Sequence, residues 1–114
     1  MKVFLSLGLS GKTVTEIDYD IKRMSEKILD IMSNIAPNEK IEIVHNADYY
    51  PDPEERRGRV YCLGEAIKKM DECELVVFHP DYSKHKGCLV EEKVAQLYGI
   101  KRFYLQDVIE NGKE

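Results

Sequence analysis

Four consecutive apolar residues, Leu75 to Phe78, constrain the fold of this chain more than any other feature. β-Branched and aromatic residues favour strands, and a strand that is apolar on both sides must be covered on both faces of its sheet. Sheets of that kind are typically parallel, with helices packed above and below them. The run, extended to Glu74, therefore predicts a central strand of an α/β domain.

The remaining periodic segments supply neighbours for this strand. Short apolar runs bounded by turn-forming residues predict further strands at residues 2–7, 40–45 and 102–105. Apolar residues at helical spacing predict a helix from a capping box at residues 13–16 to Pro37, a second at 60–70 and a third from about 88 to 98. Gly99 is placed to cap the third helix.

The same spacing predicts which side chains of each helix face the sheet. In the first helix they are Ile17, Ile21, Met24, Ile28, Ile31, Met32 and Ile35. In the second helix they are Leu63, Ala66, Ile67 and Met70. In the third helix they are Val90, Val94, Ala95 and Leu97.

This order of elements predicts a three-layer α/β domain of the Rossmann or flavodoxin type. We expect a mainly parallel sheet of four or five strands with helices on both faces. Right-handed crossovers place the loops that follow the first and third strands side by side, and ligands bind at the carboxyl ends of such strands. Residues 8–12 and 79–91 should therefore line one cleft.

Residues 46–59 interrupt the regular pattern. They contain Tyr49, Tyr50, two prolines and a run of paired glutamates and arginines, a composition typical of a mobile loop. Loops of this length in compact domains often act as lids over a site. The two tyrosines are candidates for stacking on a base, or for packing the loop onto the domain or a neighbouring subunit.

Size and composition limit the classes of function. A chain of 114 residues suits a single domain spanning 1–114, and a net charge of -4 with a pI near 5.4 argues against a nucleic-acid polymer as partner. The three cysteines, Cys62, Cys73 and Cys88, lack the spacing of a disulfide framework or zinc site. The N-terminal apolar stretch is too short to span a membrane. We expect a cytoplasmic protein without a metal ion or other cofactor.

The loop after the first strand ends in Gly11, Lys12 and Thr13, which invites comparison with a P-loop. The motif is incomplete, because Ser6 stands where its first glycine belongs. A looser interpretation is that the backbone N–H groups of Ser10, Gly11 and Lys12 hold a phosphate, a sugar hydroxyl or a carboxylate. The alternative is a tight turn from strand to helix with a solvated lysine.

The segment after the central strand carries the second group of candidate residues, 80–92. It enters the third helix through Gly87, and Glu91 lies about one turn inside that helix. Near a helix N-terminus the macrodipole favours an ionised carboxylate by about 0.3–1 kcal/mol, as suits a nucleophile. The alternative is that Glu91 only complements the helix dipole.

Three stretches of the chain resemble one family. The first is Phe4 to Thr13, the second Tyr61 to Gly64, and the third Gly87 to Glu91 with Ala95 and residues 98–100. They are similar to the small bacterial and phage proteins of domain of unknown function 4406, within the nucleoside 2-deoxyribosyltransferase-like superfamily. The third stretch is the most specific.

The resemblance implies an activity. In the characterised relatives a glutamate four residues before that alanine attacks the anomeric carbon of the sugar, and by position this residue is Glu91. The implied chemistry is that of a retaining glycosidase acting on a nucleoside or nucleotide, with transfer to another base or hydrolysis by water. The relatives often complete their pocket from a second subunit, so the resemblance also implies a homo-oligomer.

The chain departs from these relatives at positions that matter for catalysis. The aspartate that handles the leaving base would stand at about Ala66, with Glu65 adjacent but pointing elsewhere. A tyrosine expected on the first strand is replaced by Val3 or Phe4, and His85 stands where serine is common. His85, Asp81 or a tyrosine of the 46–59 loop could supply the missing acid, a role worth about 10²–10⁴ in rate.

The sequence thus predicts a site and leaves its activity open. The candidate catalytic residues are Glu91, His85 and Asp81. The candidate substrate-binding residues are Ser6, Gly8, Ser10, Gly11, Lys12, Tyr82, Gly87 and Cys88. The competing hypotheses are a non-catalytic nucleotide-binding module that keeps the pocket, and a structural protein without a ligand.

Overall fold

The computed structural model describes residues 1–47 and 56–106. Four strands form one sheet, in which every neighbouring pair is parallel. They are β1 (Lys2–Ser6), β2 (Glu42–Val44), β3 (Leu75–Phe78) and β4 (Lys101–Tyr104), and their order across the sheet is β2-β1-β3-β4. The predicted α/β fold with a parallel sheet is confirmed, and the apolar run at β3 lies inside the sheet as expected.

Helices cover both faces of the sheet. They are α1 (Val14–Ile35), α2 (Arg56–Met70) and α3 (Lys86–Tyr98). On one face α1 packs Met24, Ile28 and Met32 against Val3, Leu5 and Val77. On the other face α2 and α3 pack Ala66, Met70 and Ala95 against Phe4, Val76 and Phe78. Alternate residues of β1 and β3 thus enter opposite layers, as the twofold period of a strand requires.

The predicted N-terminal cap of α1 and the predicted C-terminal cap of α3 are both confirmed. Thr13 is the N-cap of α1, where its side chain accepts a hydrogen bond from the Glu16 N–H while the Glu16 side chain accepts one from the Thr13 N–H. Gly99 follows α3 with a φ of 71°, the left-handed conformation that glycine adopts without steric cost. These signals fix the start of α1 and the end of α3.

Some predicted boundaries are wrong. Helix α2 begins at Arg56, so the predicted irregular loop 46–59 is helical in its last residues. The middle of that loop, with Tyr49 and Tyr50, lies outside the described residues. The strands are one to three residues shorter than, or shifted from, the apolar runs that predicted them, because backbone pairing ends before apolar composition does.

The predicted inward face of α3 is confirmed at Val94 and Ala95 but is wrong at Val90 and Leu97. Val90 is 39% exposed and Leu97 is 67% exposed, whereas Cys88, Glu91 and Ala95 are buried. Because α2 shares this face of the sheet, α3 contacts the core along a narrow stripe only. Glu91 lies on that stripe.

The face of the sheet covered by α1 is less complete. Ile35, predicted to face the core, is 71% exposed because no second described helix covers β3 and β4 on that side. An open groove of about 840 Å³ results, lined on its apolar sides by Ile31, Ile35, Leu75 and Phe103. None of the described helices is both long enough and apolar enough to cross a membrane.

Candidate functional site

The strand order places a topological switch point, and hence the expected cleft, between β1 and β3. The chain leaves β1 toward one side of the sheet and leaves β3 toward the other, and ligands bind at such switch points in open α/β sheets. The backbones remain joined past the last strand residues, because the His79 N–H donates to the Ser6 carbonyl at 3.0 Å. The N-terminal loop and the segment that follows β3 therefore meet at this edge.

Buried polar groups concentrate at the same edge. Of the described residues, the buried polar or charged ones are Ser6, His79 and Glu91, which are 1%, 2% and 8% exposed. Ser6 ends β1, His79 follows β3, and Glu91 projects from α3. Burying polar groups costs free energy unless they are paired, so their clustering here marks the edge as a site rather than as ordinary core.

The central contact is a hydrogen bond between Ser6 and Glu91. The Ser6 hydroxyl donates to Glu91 Oε1 at 2.6 Å, the short distance of a charge-assisted bond. The bond joins the end of β1 to the second turn of α3. It holds one oxygen of a buried carboxylate in a fixed orientation.

Burial dominates the ionisation of Glu91. Desolvation raises its pKa, the hydrogen bond from Ser6 lowers it, and the result is a pKa raised from 4.5 to about 7. That shift is equivalent to about 3 kcal/mol, whereas a helix dipole contributes about 0.3–1 kcal/mol and acts chiefly within the first turn. Glu91 is therefore not a simple complement to the dipole of α3.

Cys88 lies beside this carboxylate. Burial and the Glu91 charge raise the pKa of its thiol to about 12, although Ser6 provides an opposing hydrogen bond. A thiol of that pKa is neither a nucleophile nor an acid near neutral pH. Cys88 fills space next to Ser6 and Glu91, which keeps the carboxylate dry.

A second group of charges occupies the mouth of the cleft. Lys12 Nζ lies 2.8 Å from Asp20 Oδ2 and 2.9 Å from Asp81 Oδ2, and all three side chains are 13–15% exposed. Burial opposes the lysine charge, but hydrogen bonds to the two aspartates outweigh it and raise the pKa of Lys12. The alternative interpretation of Lys12 as a solvated lysine is wrong.

His79 connects the same two aspartates. Its Nδ1 lies 2.7 Å from Asp81 Oδ1, and its Nε2 lies 3.5 Å from Asp20 Oδ1. Burial would raise the pKa of Asp81, but hydrogen bonds from His79 and Lys12 outweigh burial and hold that pKa well below its usual 3.8. Asp81 is thus ionised throughout the neutral range and is a poor proton donor.

His85 reaches the cluster from the N-cap of α3. Its Nε2 lies 3.4 Å from Asp81 Oδ2, and its side chain is 16% exposed. The ring packs directly on the backbone of Gly8, where an added Cβ would overlap it. Any side chain at position 8 would clash with the His85 imidazole. This clash accounts for the glycine, so no contact between Gly8 and substrate is needed to explain it.

The loop between β1 and α1 is less open to an anion than its sequence implied. The Lys12 N–H donates to the Leu9 carbonyl at 3.2 Å, and Gly11 has a φ of 77° in this turn. The Glu16 carboxylate already occupies the N-terminus of α1 through the capping box, and hydrogen bonds with Thr13 lower its pKa. Ser10 and Gly11 remain exposed at the rim.

Tyr82 and Gly87 were also predicted to bind substrate. The Tyr82 ring packs against Phe78 and Tyr104, with ring centroids 5.3 Å apart in both cases. Tyr104 donates to Glu92 at 2.7 Å, so the two adjacent glutamates of α3 face different partners. At Gly87 an added Cβ would meet nothing within 4 Å, so space does not require glycine there.

Of the positions that depart from the resembled family, His85 lies at the mouth of the cleft, whereas Ala66, Glu65, Val3 and Phe4 lie elsewhere. Ala66 is 2% exposed in the core, where no carboxylate could reach a leaving base. Glu65 instead bonds to Lys68 at 3.2 Å on the surface. Val3 and Phe4 are buried within the sheet.

Asp20 is the residue that the sequence analysis missed. It lies three residues after Ile17 and four before Met24, on the stripe by which α1 faces the sheet. A carboxylate on an otherwise apolar stripe is the signal that could have identified it.

Comparisons with protein-family models, with curated proteins and with solved structures found no match to the chain. Within the two described ranges, no group of three or more histidine, cysteine, aspartate or glutamate side chains is arranged to hold a metal ion.

The raised pKa of Glu91 makes stability depend on pH. In the unfolded chain Glu91 ionises near 4.5, whereas in the folded protein it keeps its proton until about pH 7. Folding takes up a proton in this window, so the free energy of unfolding should fall by about 3 kcal/mol as pH rises through it. Asp81, whose pKa is lowered, acts in the opposite sense and only below about pH 3.8.

Urea titrations of wild type, Glu91→Gln and Glu92→Gln between pH 4.5 and 7 test this linkage. Glu91→Gln should lose the fall in stability, because an amide does not titrate. Glu92→Gln removes the adjacent carboxylate of the same helix and should keep the wild-type slope. Equal slopes in wild type and Glu91→Gln would contradict the account.

Proposed function

We propose that this protein is an N-glycosidase or 2-deoxyribosyltransferase-like protein that acts on a nucleoside or nucleotide, with Glu91 as its nucleophile. The observation that carries the proposal is the buried Glu91 carboxylate, held by Ser6 at 2.6 Å in the cleft between β1 and β3. A desolvated, oriented carboxylate is what attack on an anomeric carbon requires. The sequence resemblance points to the same residue.

The proposed reaction has two steps. Ser6 holds Glu91 Oε1, and Oε2 attacks C1′ of the sugar while the bond from C1′ to the base nitrogen breaks and its electron pair leaves with the base. The transition state has oxocarbenium character, which the adjacent carboxylate stabilises. Water then attacks C1′ and releases Glu91, or a second base attacks in place of water and forms a new nucleoside.

We assign the proton for the leaving base to His85. Its imidazole is partly accessible and lies 3.4 Å from Asp81, whose ionised carboxylate would hold it in orientation. In the second step the same imidazole would take the proton from the attacking water or base. Asp81 itself would act as a positioning residue, because its low pKa makes it a poor acid.

The environments of Glu91 and Asp81 favour different roles. Desolvation raises the pKa of the first to about 7, while two hydrogen-bonded partners lower that of the second. Carboxyl groups separated in this way typically divide catalytic tasks within one site.

A second candidate is a non-catalytic nucleotide-binding module. It is favoured by Ala66, which lies in the core where the related enzymes have the aspartate that handles the leaving base. The two candidates share the cleft and differ in whether the bond to the base breaks.

Incubation with a panel of deoxynucleosides and their 5′-monophosphates, followed by chromatography for free base, separates them. Wild type should release base, and its kcat/KM should rise with pH up to about 7, because the nucleophile must be ionised. Glu91→Gln should fall to background, and His85→Asn should lose about 10²–10⁴ in rate. Glu92→Gln, on the same helix, should retain activity.

Binding without base release by wild type would identify the binding module. If no compound in the panel shifts the melting temperature, the result would support the hypothesis of a structural protein without a ligand. Loss of activity in Glu92→Gln equal to that in Glu91→Gln would contradict the assignment of the nucleophile.

We further propose that the protein acts in the cytoplasm as a homo-oligomer. The groove beside β3 and β4 exposes Phe103 and Ile35, which are 42% and 71% exposed, and a second copy could cover them. Light scattering at micromolar concentration should give a multiple of 13.2 kDa. A monomeric mass at those concentrations would contradict the proposal.

A further inference from the structure

We propose that Asp20 is a specificity-determining residue, which makes the site select an uncharged nucleoside over its 5′-monophosphate. The inference rests on the proposed function and names the substrate class of the same cleft. Asp20 acts through Lys12, the cation in the N-terminal loop that a phosphate would otherwise use.

Lys12 is already held by two carboxylates. Asp20 approaches its ammonium group at 2.8 Å and Asp81 at 2.9 Å, and the three side chains are largely buried. A phosphate can bind the ammonium group only by displacing an aspartate from it or by approaching both aspartates closely. Either change is opposed by charge repulsion in a poorly solvated place.

In this proposal the 5′ end of the nucleoside lies at the cluster of Lys12, Asp20 and Asp81. Lys12 and Asp81 are close enough to Cys88 to perturb its thiol, and the same thiol feels Ser6 and Glu91. In a β-nucleoside the base and the 5′ carbon project from one face of the sugar, and the nucleophile attacks the other. A sugar attacked by Glu91 therefore has its base and 5′ group turned away from Glu91, and the proposed binding mode directs them toward Asp81, His85 and Lys12.

The charge balance of the edge favours a neutral ligand. Asp20 and Asp81 supply two carboxylates at the cluster, and Lys12 lies within 2.9 Å of both. A phosphate would add negative charge beside two aspartates that already share one ammonium group. A 5′-hydroxyl adds none, and it can donate to an aspartate oxygen.

The nearest helix terminus is also satisfied. At the start of α1 the Glu16 side chain accepts from the Thr13 N–H, and the Thr13 side chain accepts from the Glu16 N–H. A helix N-terminus that carries its own carboxylate repels an external phosphate. The loop from β1 to α1 thus resembles a phosphate-binding turn in sequence. In the structure, however, the Lys12 ammonium group is paired with aspartates and the helix N-terminus is paired with Glu16.

Isothermal titration calorimetry and base-release kinetics with one deoxynucleoside and its 5′-monophosphate test the inference. Wild type should favour the nucleoside. Asp20→Asn should reduce that preference about tenfold or more, because it increases the affinity and kcat/KM for the monophosphate. Added salt should weaken the preference of wild type, because it screens the repulsion. The matched control is Asp18→Asn, an exposed aspartate on the same helix, which should keep the wild-type ratio.

The outcomes separate the two proposals. If no base is released but Asp20→Asn still shifts the binding ratio, the proposed function fails and the assignment of Asp20 stands. If wild type prefers the monophosphate, or if both aspartate variants give equal ratios, the assignment of Asp20 fails whether or not base is released. If Lys86→Gln rather than Asp20→Asn changes the ratio, the phosphate binds at the start of α3 and the inference is overturned.

Discussion

The hydrogen bond between Ser6 and Glu91 is the interaction on which the rest of the site depends. It ties the end of β1 to the inward stripe of α3, with a carboxylate at 8% exposure where the neighbouring core residues are apolar. An unpaired carboxyl at such a position would destabilise the fold strongly. The Ser6 hydroxyl makes the position tolerable, and it also orients the oxygen atoms of Glu91 toward the cleft.

Around this bond the protein keeps two electrostatic environments apart. Cys88 and the end of β1 surround Glu91 with poorly polar atoms, and burial raises the pKa of Glu91 to about 7. At the mouth of the cleft, Lys12 lies between Asp20 and Asp81, and His79 Nδ1 lies 2.7 Å from Asp81 Oδ1. The Glu91 carboxylate can therefore change charge near neutral pH, while Asp81 remains ionised and fixes the positions of its partners.

Much of the fold could be predicted from the sequence because local signals agreed with the tertiary structure. The apolar run of β3 required cover on both faces, and Thr13 and Gly99 marked helix ends by their own hydrogen bonding and backbone conformation. The cleft followed from the parallel order of the strands. The inward face of α3 was predicted only in part. Ala95 is buried as its apolarity indicated, but Val90 and Leu97 are exposed, and tertiary packing buries Glu91 instead.

The location of the site could be predicted, but the contacts between its side chains could not. Glu91 and Ser6 were candidates from their positions at a helix start and a strand end, yet nothing in the sequence shows that they bond. The pairing of Lys12 with Asp20 and Asp81 joins three separate segments, so the sequence could not distinguish an available cation from a neutralised one. Asp20 cannot be identified from the apolar periodicity of α1, because it is a charged residue on the otherwise apolar stripe.

Glu91 as a nucleophile implies a covalent bond between its carboxylate and the sugar, and mass spectrometry detects that bond most directly. Wild type would be mixed with a deoxynucleoside, quenched in acid within the first turnover, digested and analysed. The account predicts that the peptide containing Glu91 gains the mass of one deoxyribosyl group, and that the matching peptide of Glu91→Gln does not. Release of free base by wild type with no adduct on Glu91, or with the adduct on another residue, would contradict it.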